Sequence, residues 1–184
     1  MRFEILVIVI LGFTIIASTS SQAFAAVDMF LKMDGVEGES TDKTHGKEID
    51  VLSWSWGASQ SGSMAAGGGG GAGKVSMQDL SITKHIDKSS PKLFEALATG
   101  KHLKEAKLVL RSAGGSQVEY LVITLSDVLV SSYSTGGSSG DDRPTESISL
   151  NFAQIKMSYV EQDTKGSAGA ATEFGWDIKA NKKI

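Results

Sequence analysis

The sequence predicts a mainly β protein, a bent-strand antiparallel β-barrel with one helix packed on its side. Three observations lead there. Apolar side chains recur at every second residue in segment after segment, that alternation slips by one residue within several of them, and a single stretch carries start and stop signals for a helix.

The first 25 residues stand apart from the rest. Arg2 precedes an apolar run from Ile5 to Ala17, and Ala23-Phe24-Ala25 is a small-residue cleavage pattern, so residues 1–25 read as a secretory signal peptide. The run is shorter than the roughly 20 apolar residues a membrane span needs. The folded domain is therefore expected at residues 26–184.

Its first strand places Val27, Met29, Leu31 and Met33 on one face, with Asp28, Lys32 and Asp34 opposite. In Leu52-Ser53-Trp54-Ser55-Trp56 the apolar residues share a face that must be core or subunit contact, while Ser53 and Ser55 form a small hydroxyl face suited to water or to weak, tolerant binding. The same period marks Leu121, Ile123 and Leu125, and again Phe174, Trp176 and Ile178.

The slips come next. Ile148, Leu150 and Phe152 share a face, yet the following apolar set, Ile155, Met157 and Tyr159, is one residue out of step. Val75 and Met77 give way to Leu80 and Ile82 in the same manner, and Ile49 and Val51 to Leu52, Trp54 and Trp56. A strand keeps both sets on the core only through a bulge or a bend from one sheet into another. Bent strands with antiparallel neighbours point to a barrel or closed sandwich.

The helix is bounded by Ser89 or Ser90 as N-cap, Pro91 in the first turn, an apolar stripe of Leu93, Phe94 and Leu97, and Gly100 as terminator. The stripe is narrow, which places the helix outside the sheet. The Gly/Ser-rich segments 59–73 and 134–142 read as extended loops.

Composition narrows function. A chain of 184 residues fits one domain, and 18 Lys plus Arg against 21 Asp plus Glu gives a net charge of -3, without the positive field of a nucleic-acid binder. No cysteine is present, which removes disulfides, thiol nucleophiles and Cys-ligated metals. Gly68, Gly70, Gly73 and Lys74 imitate a phosphate loop, but Val75 stands where a P-loop carries Ser or Thr, and a strand pattern follows in place of a helix. Gly136, Ser138 and Gly140 imitate a nucleophile elbow, again with no helix after them. His45, His85 and His102 show no metal-ligand spacing and read as exposed or hydrogen-bonded, and the scattered carboxylates read as surface charge. Neither a catalytic residue, a metal nor a cofactor is expected.

The blocks VDMFLKMDGVEGES, IDVLSWSWGASQSGS, EYLVITLSDVLVSSYSTGGSSGDDR, ESISLNFAQIKMSYV and GWDIKANKKI, in this order, closely resemble the haemolysin-coregulated protein (Hcp) family, the tube protein of the bacterial type VI secretion system. The resemblance runs from about Ala26 to Ile184. It implies a ring-forming barrel assembled as homohexamers, stacked into a hollow tube that is secreted with a spike protein at its tip, works with a sheath, and carries effector proteins in its lumen. On that reading Ser53 and Ser55 face the lumen, and the loop residues Gly67, Gly68, Gly69, Gly70, Gly71, Thr135, Gly136 and Gly137 make subunit or ring contacts. The apolar leader departs from the family, whose members leave through their own apparatus from a cytoplasmic pool. A secreted, monomeric β-barrel that binds a small ligand is the alternative; it would need an enclosed apolar pocket, for which 7% aromatic residues is a small supply.

Overall fold

The computed structural model describes residues 27–60, 74–113, 117–162 and 168–184. The N-terminal segment read as a signal peptide lies outside the described residues. The strands are β1 (Val27–Met33), β2 (Ile49–Asp50), β3 (Ser53–Ser55), β4 (Ala58–Gln60), β5 (Val75–Met77), β6 (Leu80–His85), β7 (His102–Ser112), β8 (Glu119–Gly136), β9 (Thr145–Gln162), β10 (Ala168–Asp177) and β11 (Lys182–Lys183), with α1 (Ser90–Thr99) between β6 and β7. Every pairing is antiparallel. The main sheet runs β11-β10-β9-β8-β7-β1-β2, β6 adds to β9 and β3 to β6, while β4 and β5 pair apart as a separate ribbon.

The phase slips resolve into a crease. On β8 the buried set changes from Ile123 and Leu125 to Val128 and Val130; on β9 it changes from Phe152 to Ile155; on β7 it changes from Leu103 to Ala106. Asp127 stands opposite Ala153 in the β8/β9 ladder, between the pairs Ser126 with Gln154 and Val128 with Phe152, and opposite Lys104 in the β7/β8 ladder. Pairing resumes on either side in unchanged register, so no residue is inserted there. Three neighbouring strands turn over together, and Asp127 makes the turn by adopting φ 52°. A separate bulge does occur in β8 between Val130 and Ser132. The other two slips are breaks between strands: β5 ends before β6 begins, and β2 before β3.

The bend lets one edge of β9 serve two partners, β6 along Thr145–Leu150 and β10 from Gln154 onward. The mainly β, antiparallel fold with one helix is as expected, although among the described residues no ladder closes the barrel. Its two edges, β1 with β2 on one side and β6 with β3 on the other, are joined by the chain itself. The Val51 amide donates to the Met29 carbonyl (2.9 Å) and the next amide, Leu52, donates to the Thr83 carbonyl (2.8 Å), so consecutive residues bond to opposite edges.

Leu31, Ile49, Leu80, Ile82, Leu108, Ile123, Leu125, Ile148 and Leu150 form the fully buried centre of the core. β1 is covered on both faces. Phe30, on the face read as polar, is buried under the segment 34–48, where His45 stacks on it with ring centroids 4.3 Å apart and the Arg111 guanidinium lies 5.0 Å from its centroid. Arg111 is in turn held by Asp28 (2.8 Å) and Asp42 (2.7 Å). Leu52 is exposed, unlike Trp54 and Trp56, which are half-buried against the core.

The helix obeys its end signals, with Pro91 in the first turn and Gly100 left-handed at the C-cap (φ 62°). Its buried side chains are Ser90, Leu93 and Ala96, whereas Phe94 is 55% exposed and meets Tyr133 edge-on. The expected stripe through Phe94 is thereby corrected.

Candidate assembly surfaces

Opposite residues in an antiparallel ladder share a face. Following the ladders outward from Ser53 and Ser55 gives two cross-strand rows. Ser53 pairs with Thr83, Thr83 with Ser147 and Ser147 with Ser134; Ser55 pairs with Ser81, Ser81 with Ser149 and Ser149 with Ser132. These rows cross β3, β6, β9 and β8 on the side away from the core, whose own rows are Trp54, Ile82, Ile148 and Tyr133. Ser53, Ser55, Ser132, Ser134 and Ser147 are exposed and the others half-buried. Ser81 and Ser149 share a hydroxyl hydrogen bond of 3.0 Å. At the border the Asp79 carboxylate is engaged by Ser131 and, at 2.7 Å, by Asn151. The result is an uncharged hydroxyl sheet in a chain of which 21% is charged. Sequence reasoning found its first strand and missed the other three, because only the register unites them; the available signal was the recurrence of a hydroxyl, any residue, then a hydroxyl at 81–83, 132–134 and 147–149.

The inner side of the same strands holds a feature that contradicts the reading of charges as surface. Lys84 and Glu146 are direct cross-strand partners, 0% and 2% exposed. The Lys84 ammonium donates to Glu146 Oε1 (2.7 Å), Asp87 Oδ1 (2.7 Å) and the His85 carbonyl (2.8 Å); Tyr133 donates to Glu146 Oε2 (2.6 Å) and Ser90 to Glu146 Oε1 (2.9 Å). Burial pushes the Asp87 carboxyl up, but its bonds from Lys84 and Ser89 outweigh that and hold it below the usual carboxylate range. Burial and the Glu146 carboxylate push the Tyr133 hydroxyl up to about 12. Both charges occupy the buried phase of their strands, Lys84 in step with Leu80 and Ile82, Glu146 in step with Ile148 and Leu150. That coincidence of opposite signs was the sequence signal.

Thr135 and Gly136 belong to β8, paired with Glu146 and Thr145, so the expected loop begins only at Gly137. All three are exposed, and a side chain on Gly137 would collide with Pro144. Gly67, Gly68, Gly69, Gly70 and Gly71 lie outside the described residues. Lys74 leads directly into β5, and the Ser138 amide is bonded to Asp141 (2.8 Å) in a turn, so neither the phosphate-loop nor the elbow reading gains a helix. His45 is buried beside Glu48 (2.9 Å) and His102 is exposed beside Asp127 (2.6 Å). Among the described residues no cluster of ligating side chains could hold a metal, and no helix is long and apolar enough to cross a membrane.

The far edge carries exposed aromatic side chains among polar ones. Among the described residues the outer side of β10 is paired by the two-residue β11 at Trp176 and Asp177 and by the Ile184 amide, which donates to the Gly175 carbonyl. Beside this edge Phe174 and Ile184 are exposed around a surface cavity of about 500 Å³, lined also by Val122, Thr124, Lys156 and Gly175, while Tyr159 is exposed on the neighbouring β9. Among the described residues, a strand edge paired at one end and exposed aromatic side chains together mark a surface suited to a partner.

A family profile described as "Type VI secretion system effector, Hcp" matches residues 30–159. The chain is 61% identical over 158 residues to protein hcp1 of Pseudomonas aeruginosa, covering 85% of this chain and 98% of that one. Among solved structures it is similar to a type six secretion system protein (TM-score 0.82, 36% identity, 86% of this chain and 100% of the other) and to Hcp1 from Salmonella typhimurium (TM-score 0.74, 42% identity, 86% and 99%). A type VI secretion system effector from Yersinia pestis aligns with TM-score 0.67 at 34% identity, over 82% of this chain and 100% of that one. With a family profile over most of the chain, a long relative at high identity and solved relatives that superpose over most of their length, the chain belongs to the Hcp family, the secreted tube proteins of the type VI secretion system, which are structural and not enzymes.

Proposed function

We propose that residues 26–184 form one subunit of a homohexameric ring, that such rings stack into a hollow tube, and that the hydroxyl rows headed by Ser53 and Ser55 line its lumen. The observation that carries the lumen assignment is the pair of rows itself. A carrier wall must touch many surfaces and hold none of them strongly; small hydroxyls exchange hydrogen bonds with water at little net cost and place no fixed charge against a passing protein. The open edge of β10, with Phe174 and Tyr159, supplies surface for neighbouring subunits, and Thr135, Gly136 and Gly137 at the rim of the sheet supply contacts between subunits or rings. Effector proteins are the occupants of the lumen, a spike protein closes the tip and a sheath surrounds the tube. The subunit is released outside the cell, from a cytoplasmic pool when residues 1–25 do not act as a signal.

Electron microscopy of the purified protein, together with pull-down of an effector, tests this. Hexameric rings are expected, and Ser55→Arg is expected to keep the rings while reducing effector retention at least tenfold. A monomeric protein, or undiminished retention by the arginine variant, overturns the reading.

A further inference from the structure

The buried group around Lys84 is unusual in what it replaces. Ser89 occupies the N-cap position of α1 but makes no side-chain capping bond; its hydroxyl and its amide (2.8 Å) both go to Asp87 instead. Ser90, inside the helix, accepts from the Asp87 amide (3.0 Å) and from Lys84 (3.3 Å) while donating to Glu146. The helix thus enters the sheet through directional bonds that converge on one cross-strand ion pair. Its apolar hold is slight by comparison, since only Leu93 and Ala96 are buried among its hydrophobic side chains. Apolar contact is non-directional, and a short helix held by Leu93, Ala96 and the half-buried Leu97 alone could settle a turn away on a smooth sheet.

We infer that Lys84 and Glu146 are positioning residues, whose task is to fix the seat of α1 on β8 and with it the exposed Phe94. Stability alone does not call for the pair. An apolar replacement of similar volume avoids the cost of desolvating two charges and is commonly as stable or more so, whereas removing one partner strands the other. The directional geometry is what an apolar pair cannot copy. Tyr133 links the two ends of the device: its hydroxyl bonds Glu146 and its ring meets Phe94, with centroids 5.6 Å apart. The effect of this seat on assembly rests on the ring proposed above; the seating itself does not.

The experiment compares Lys84→Met, Glu146→Leu and the double variant with the native chain by melting temperature, by residue-resolved amide hydrogen exchange and by electron microscopy. Each single variant should melt roughly 10 °C lower. The double variant should recover most of that loss, yet exchange the amides of residues 93–99 at least tenfold faster than the native chain, with β7 and β8 unchanged, and assemble at least tenfold less. A double variant with native exchange in α1 overturns the inference, and so does one in which all elements exchange faster together. Should the double variant not fold, Tyr133→Phe decides: selective acceleration in α1 supports the seating, and uniform or absent acceleration sinks it. Failure of the native chain to form rings would remove the assembly reading and leave the exchange result to judge the seat.

Discussion

Asp127 and Ala153 face each other across β8 and β9 at the point where both strands change which side they bury, and the ladder continues past them in the same register. β8 makes that reversal with a left-handed backbone at Asp127, whereas β7 and β9 change sides without a positive φ. A β-branched residue is strained there by about 1–2 kcal/mol, while Gly is at ease. Asp127→Val should therefore lower the melting temperature by about 2–8 °C and Asp127→Gly should leave it nearly unchanged. Calorimetry on the two variants checks this; equal melting would mean that the crease does not depend on this backbone.

Gly38 sits where the segment 34–48 folds back on itself, its amide bonded to the Lys47 carbonyl at 2.8 Å. A Cβ at that position would overlap the Glu48 carbonyl and Ile49 Cα, both backbone and neither able to rotate away. Gly38→Ala should cost about 3 kcal/mol and loosen His45 from Phe30. Denaturant unfolding with a near-ultraviolet signal gives the number, and a loss below about 1 kcal/mol would show that the segment yields freely.

Acid should act through Asp42. Its hydrogen bond from Arg111, then those from the His45 and Thr44 amides, hold its carboxyl well below the ordinary range. An unfolded Asp titrates near 3.9, so this contribution is complete above about pH 5 and is lost as pH falls toward the folded value. The native chain should lose melting temperature more steeply from pH 5 to 2 than Asp42→Asn, which starts lower. Parallel slopes would dismiss the carboxylate as the cause.

Alkali should act through Tyr133, pushed up to about 12 by burial and by Glu146. In the unfolded chain a tyrosine ionises near 10, so between about pH 10 and 12 the unfolded state loses protons that the folded state retains. Stability falls across that window, and Tyr133→Phe should flatten the fall. Melting curves from pH 9 to 12 measure it, with equal slopes in the two proteins counting against the assignment.

Trp56 is half-buried against the core beside Met77 and Trp176. Trp56→Ala should melt lower by several degrees, as a structural and not a lumen residue would. An unchanged melting temperature would move it to the list of assembly contacts.

How much of this the sequence displays depends on how far each cause reaches along the chain. The reversal in β9 is local, with Phe152 and Ile155 three residues apart, and so the slip is plain in the letters. That β7, β8 and β9 reverse in one line depends on register, which no single strand encodes. Ser53 and Ser55 announce a hydroxyl face by alternation alone, but their extension through Ser149 and Ser132 needs three ladders to be counted first. Lys84 and Glu146 look like ordinary surface charge because each has polar neighbours in the chain, Thr83 and His85 for the first and Thr145 and Ser147 for the second; only their pairing across β6 and β9 makes burial tolerable. Phe94 misleads in the other direction, being apolar, helical and yet turned outward.

In mechanical terms, the wall of the subunit carries a seam. Elsewhere a pull across the sheet is shared along long ladders such as those of β8 with β7 and β9, but between the edges of β1 and β6 it passes through the chain at Val51 and Leu52, anchored by their amides and by the short ladders of β2 on β1 and β3 on β6. A subunit driven outward under load would part there first and keep its long strands intact, and a neighbour bracing that seam would decide how much force the wall bears.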